Sequence, residues 1–152
     1  MHDLPAVLAM PWLDPALVER LSELAAKLDG DPDEALRAEF NALANLAVPM
    51  SHFQGIYGGM EHEDWVRGLL YLQQVRTVEG VTDEDWVEVA RRIMAAELDQ
   101  AEITYFLKML EVNLQYPQIS DLIYWPGEVS KDFENANFTP AQIIAIARGN
   151  PA

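Results

Sequence analysis

Apolar residues recur along the chain at intervals of three and four, in blocks bounded by proline, glycine and capping residues, and this spacing predicts helices throughout. Asp14 followed by Pro15 opens the first helix, because the carboxylate can accept an orphan amide and proline suits the first helical position. Leu17, Leu21, Leu24 and Leu28 form its stripe, widened by Val18 and Ala25, and Asp29-Gly30 ends it. Asp31-Pro32 repeats the opening signal for a second helix with Leu36, Phe40, Leu43 and Ala47 on one face, closed by Pro49. Residues 50–59 are irregular, and a third helix follows Glu61 with Trp65, Val66, Leu69, Leu70, Leu72 and Gln73.

Thr82 and Asp85 form a short-armed capping box ahead of Trp86, Val89, Ala90 and Ile93. Asp99 and Glu102 repeat the device before Ile103, Phe106, Leu107, Leu110 and Leu114. Next comes a stretch bounded by proline at both ends, Tyr116 to Pro126, in which Ser120 is placed to cap one helical turn over residues 121–124. Leu122 and Ile123 are placed to root it in a core, while Tyr124 and Trp125 suit either a core plug or an exposed anchor beside Asp121. Residues 129–137 are polar and read as a loop, and Thr139-Pro140 begins a last helix with Ile143, Ile144, Ile146 and Ala147 before Gly149.

No stretch alternates as a strand does, so the expected class is all-α. The order helix, helix, proline, short apolar turn ending in Ile-Tyr, loop, helix occurs over residues 14–74 and again over 80–149, with Pro49 opposite Pro117 and Ile56-Tyr57 opposite Ile123-Tyr124. The expected architecture is therefore two tandem four-helix units packed together, residues 1–79 and 80–152, each with a very short third helix.

The chain carries 25 acidic against 10 basic residues, a net charge of −15, which disfavours nucleic acid and anionic membranes and favours a basic protein partner. The absence of cysteine excludes disulfides and thiol chemistry and fits a cytoplasmic protein. The first residues have no basic region ahead of an apolar run, so neither a signal peptide nor a membrane span is expected. His2, His52 and His62 have no metal-binding spacing, Gly58-Gly59 lacks the lysine of a phosphate loop, and Ser120-Asp121 has no histidine nearby in sequence. No enzyme and no cofactor is expected.

The run Ser120-Asp121-Leu122-Ile123-Tyr124-Trp125-Pro126, after a helix bearing Glu111 and before Thr139-Pro140, resembles the immunity proteins of DNase-type colicins and pyocins over residues 80–150. Trp125 replaces the second tyrosine of that family's motif, and Tyr116 stands where histidine is usual. The resemblance implies a small four-helix protein that binds the basic nuclease domain of its toxin and blocks nucleic-acid access. It assigns the common anchor to Ser120, Asp121, Tyr124, Trp125 and Pro126, and specificity to Gln100, Ile103, Thr104, Leu107, Lys108 and Glu111. The alternative is an acidic, non-enzymatic interaction or regulatory module with a non-nuclease partner.

Overall fold

The computed structural model describes residues 3–56 and 60–149, so His2, Tyr57 and Gly58-Gly59 lie outside the described residues. Among those residues the fold is all-α, with eight α-helices. It divides into two compact units, Pro11–Gln74 and a second formed by residues 75–149 together with residues 3–10.

In the first unit α1 spans Pro15–Gly30, and the Asp14 carboxylate accepts the Ala16 amide at 3.0 Å, the expected cap. The second helix, α2, spans Glu34–Ala44 and is capped by Asp33 instead of Asp31, through amides of Ala35 and Leu36 at 2.9 and 3.1 Å. Asp31 is already engaged in closing α1, its amide donating to the Lys27 carbonyl. At the other end α2 stops at Ala44, because Asn45 turns left-handed (φ 56°) and the Asn41 side chain bonds both the amide and the carbonyl of Val48. The predicted face is shifted accordingly. Phe40 and Ala44 are buried, whereas Leu43 is 45% exposed and Ala47 is exposed.

After a 3₁₀ turn at Met50–Phe53 comes α3, His62–Leu72, which packs on α1 as α2 does. Phe53 is fully buried and meets Phe40 edge to face at 4.9 Å, with Trp65 tilted against both, so one aromatic cluster joins three elements. Asp29 at the end of α1 accepts the Gly55 amide at 2.7 Å and pairs with His62 Nε2 at 2.8 Å, which fixes the connection into α3.

In the second unit α4 is Asp83–Met94, α5 Gln100–Leu114, α6 Ile119–Tyr124, α7 Pro126–Val129 and α8 Pro140–Ala147. Three of the four caps predicted here form, Thr82 with Asp85, Asp99 with Glu102 and Thr139 with Gln142, each as a reciprocal box. Helix α4 lies against α8 and α5, and α6 against α5 and α8. The apolar lead at residues 3–10 also belongs to this unit. Leu8 is fully buried, and Arg76 donates to the Val7 carbonyl at 3.1 Å and reaches the Tyr105 hydroxyl at 3.5 Å. Asn113 on α5 holds the strand of chain before α4, accepting the Val78 amide at 2.8 Å and donating to the Arg76 carbonyl at 3.0 Å.

Two acidic side chains are buried in this unit, Asp85 in the Thr82 capping box and Glu88 in an ion cluster. Glu88 on α4 accepts two hydrogen bonds from Arg91, at 2.8 and 2.7 Å, and one from Arg92 at 2.7 Å, and Arg91 goes on to Glu97 at 2.6 Å. The Arg91 bonds, with those of Arg92, outweigh burial and lower the Glu88 carboxyl from its ordinary 4.5 to about 2. The ion cluster therefore stabilises the unit above the range in which an unfolded glutamate ionises, and that stability is lost as pH falls toward 2.

Two outcomes follow from this packing. Glu88→Gln should cost about 2 kcal/mol in chemical denaturation at pH 7, and its deficit against wild type should shrink steadily below pH 4.5. A deficit that stays constant between pH 6 and pH 3 would show that the charge does not carry the stability. In the first unit, Phe53→Ala should cost about 3–5 kcal/mol and should abolish the near-ultraviolet dichroism of Trp65 at lower denaturant.

Candidate functional site

The candidate site is assembled from α5 and α6. Buried positions on α5 are Ala101, Tyr105, Phe106, Met109, Leu110 and Leu114. This stripe is rotated from the predicted one, because Tyr105 and Met109 turn inward. Ile103 and Leu107 are thereby left half-buried, and they join Gln100, Thr104, Lys108 and Glu111 in one continuous outer row with steps of three and four. The row includes all six predicted specificity residues.

Its chemistry is less acidic than the sequence implied. Lys108 forms an ion pair with Glu111, so the two charges compensate each other. The Thr104 hydroxyl donates to the Gln100 carbonyl at 3.0 Å, within the helix. Helix α5 consequently offers a nearly neutral, partly apolar flank in Ile103 and Leu107.

Helix α6 begins one residue before the predicted cap. Gln118 occupies the cap position without a side-chain bond, and Ser120 is an exposed residue inside the helix, so Ser120 does not cap. The reason lies in burial: Ile119 and Leu122 are both buried, and placing Ile119 in the core draws the helix start back past Ser120. Ile123, expected beside Leu122 in the core, is only half-buried.

At the other end Trp125 is both the C-cap of α6 and the N-cap of α7, with φ −142° and ψ 61°. Pro126 excludes the helical conformation for its predecessor and has no amide to donate, so the two helices meet at a break. The Trp125 amide still closes onto the Asp121 carbonyl at 2.6 Å, and the Trp125 carbonyl accepts from the Glu128 amide at 2.8 Å. Backbone bonds on both sides thus hold the break, and its side chain points to solvent, 68% exposed beside Tyr124 at 44%. Partial burial of the ring raises the Tyr124 phenol above its ordinary ionisation range, which keeps it a neutral hydroxyl. Asp121, in the first turn of α6, and Pro126, the first residue of α7, are half-buried next to them, so the five predicted anchor residues lie together across the α6–α7 break.

Sequence reasoning missed what faces Trp125. Residues 131–133 form a 3₁₀ turn where only a loop was expected, Asn135 is left-handed (φ 67°), and Phe133 meets Phe138 edge to face at 5.0 Å. The folded loop encloses a hollow of about 450 Å³ with α6 and α7, walled by Tyr124, Trp125, Glu128 and Glu134. The Phe133 and Phe138 spacing inside an otherwise polar segment was the available clue. A second hollow, of about 660 Å³, lies between α4 and the start of α8 around Val87, Pro140 and Ala141. Two carboxylates on its edge are already occupied, Asp83 by Arg148 and Glu88 by its two arginines.

Among the described residues no group of three His, Cys, Asp or Glu side chains is placed to hold a metal, and no helix is long and apolar enough to cross a membrane. His52 is exposed and His62 is bonded to Asp29, so they do not converge on a ligand.

Residues 78–149 match the family described as colicin immunity protein / pyocin immunity protein. An uncharacterized protein of Bacillus subtilis (strain 168), YezA, is 31% identical over 67 residues, covering 44% of this chain and 87% of that protein. No solved structure matches the chain. The family match spans the unit that bears the α5 row and the α6 anchor and does not reach residues 14–74. The chain therefore belongs to the colicin and pyocin immunity protein family, as a non-catalytic, inhibitor-type module.

Proposed function

We propose that this chain is a bacteriocin immunity protein whose second unit binds the basic nuclease domain of a cognate colicin- or pyocin-like toxin and blocks access of nucleic acid. The observation that carries this reading is the pair Tyr124 and Trp125, held outward on the helix that the family match covers. Two large exposed aromatics at the end of a rigid turn are costly to leave in water and have the composition of a binding hot spot. Ser120, Asp121 and Pro126 complete the anchor, and the outer row of α5, from Gln100 to Glu111, is the surface that distinguishes one toxin from another. Net negative charge steers encounter with a basic nuclease, while the aromatics resist dissociation. Such a protein acts in the cytoplasm, where a cysteine-free chain needs no oxidising environment.

Residues 14–74 are, in the same reading, a divergent second copy that enlarges the fold or adds a contact surface. Its support is the order of parts: two aspartate-capped helices, Pro49, a 3₁₀ turn with buried Phe53, and a last helix packed on the first.

Mixing the protein with the toxin nuclease encoded beside it should abolish DNA cleavage at a one-to-one ratio and yield a stable complex. Absence of binding to that nuclease and to related nuclease domains would reject the proposal. Within the complex, Tyr124→Ala and Trp125→Ala should each weaken affinity by about 2 kcal/mol or more by calorimetry.

A further inference from the structure

The hollow beside Trp125 has a chemistry of its own. One wall is the indole, 68% exposed on a backbone break fixed by Pro126. Glu128 of α7 and Glu134 of the following loop stand on the other sides, both exposed. Among the described residues neither carboxylate forms an ion pair. They differ in this from Glu88, Glu111 and Asp83, each of which already holds a basic side chain of the chain itself. The walls are also held in place. A Cβ at Gly127 would lie 3.5 Å from the Glu134 Cα, so α7 and the loop are in close contact, and within the loop Phe133 packs edge to face on Phe138.

An aromatic face with two unpaired carboxylates at its edge is suited to a flat, weakly hydrated cation. A guanidinium stacks on indole through its plane and donates from its edge to two separate oxygens, whereas an ammonium is more strongly hydrated and does only one of these well. We propose that the hollow between Trp125, Glu128 and Glu134 accepts an arginine side chain of the protein partner. This rests on the reading that the partner docks on the α6 face, and it adds the chemistry that the partner must present there. Because the carboxylates are exposed, they act mainly on the rate of encounter and its salt dependence, while the indole governs how long the arginine stays.

The probe is the peptide acetyl-Gly-Arg-Arg-Gly-amide, titrated into the full chain while the indole N–H resonances are followed, with Trp125→Phe identifying the Trp125 signal. Trp12, 79% exposed in the other unit, serves as an internal control for non-specific attraction to an acidic protein. The Trp125 signal should shift at least threefold more than that of Trp12. The effect should fall at least threefold with the citrulline peptide and in the Glu128→Gln/Glu134→Gln variant, and at least twofold with the lysine peptide. Equal shifts at Trp12 and Trp125, or an undiminished response to citrulline or lysine, would overturn the assignment. With a bound nuclease, the double glutamine variant should slow association about fivefold at low salt and by less than twofold in 0.5 M NaCl. Unchanged association of a nuclease that is still inhibited would refute the hollow and leave the immunity reading standing. A specific arginine response without binding to any nuclease would do the reverse.

Discussion

Burial of Ile119 and Leu122 is the interaction on which the exposed aromatic face of α6 depends. A helix of six residues cannot sustain itself in water, since its few hydrogen bonds do not offset the ordering of its backbone. It exists here because those two side chains are taken out of solvent by a helix contacting both α5 and α8. Their spacing of three sets the helix rotation, and the rotation decides that Tyr124 and Trp125 face outward. Pro126 then fixes the exit by denying Trp125 a helical conformation. The aromatic pair is thus held in place by the fold itself, which in the proposed complex limits the entropy lost on binding. It is also fragile, because any change that loosens Ile119 or Leu122 removes the anchor without touching an exposed residue.

Much of the second unit was legible in the sequence because its signals are local. Each reciprocal cap involves residues three apart, and all three formed as the pattern required. The rotation of α5 was harder to read, since a tyrosine at position 105 suits either a wet surface or a core in which its hydroxyl finds a donor. Arg76, 29 residues away in sequence, supplies that donor, and no local rule reports it. The cap of α2 was misplaced for a related reason. Asp31 and Asp33 are equally good acceptors in isolation, and the choice between them depends on which aspartate α1 has already engaged. Residues 3–10 join the second unit through a buried Leu8 and a carbonyl contact 69 residues away, again beyond the reach of periodicity. At the site, sequence picked out the stretch but assigned its buried members incompletely, naming Ile123 where Ile119 does the packing. The hollow was invisible, because it depends on how residues 126–136 fold back upon α6.

Net charge alone does not locate the face that a basic partner meets. The 25 acidic residues are spread over both units, and several do structural work: Asp14, Asp33, Asp85 and Asp99 bond backbone amides at helix starts, and Glu88 lies in a buried cluster. What distinguishes the α6 end is that carboxylates without an ion pair, which occur elsewhere on the chain too, lie there beside exposed aromatics. Along α5 the one lysine cancels the nearest glutamate, and on α4 the arginines 91 and 92 cancel Glu88. Around the aromatic pair, Asp121, Glu128 and Glu134 form no ion pair among the described residues. Local field therefore adds to apolar exposure at the same place, and each would be a weaker guide without the other. A hydrophobic patch inside a compensated surface attracts no particular class of protein, and an uncompensated acidic surface without an aromatic centre attracts basic ones without retaining them. Their coincidence beside the short helix α6 is the physical basis for proposing an interface there, and in that proposal the nearly neutral row of α5 takes the complementary task of shape discrimination.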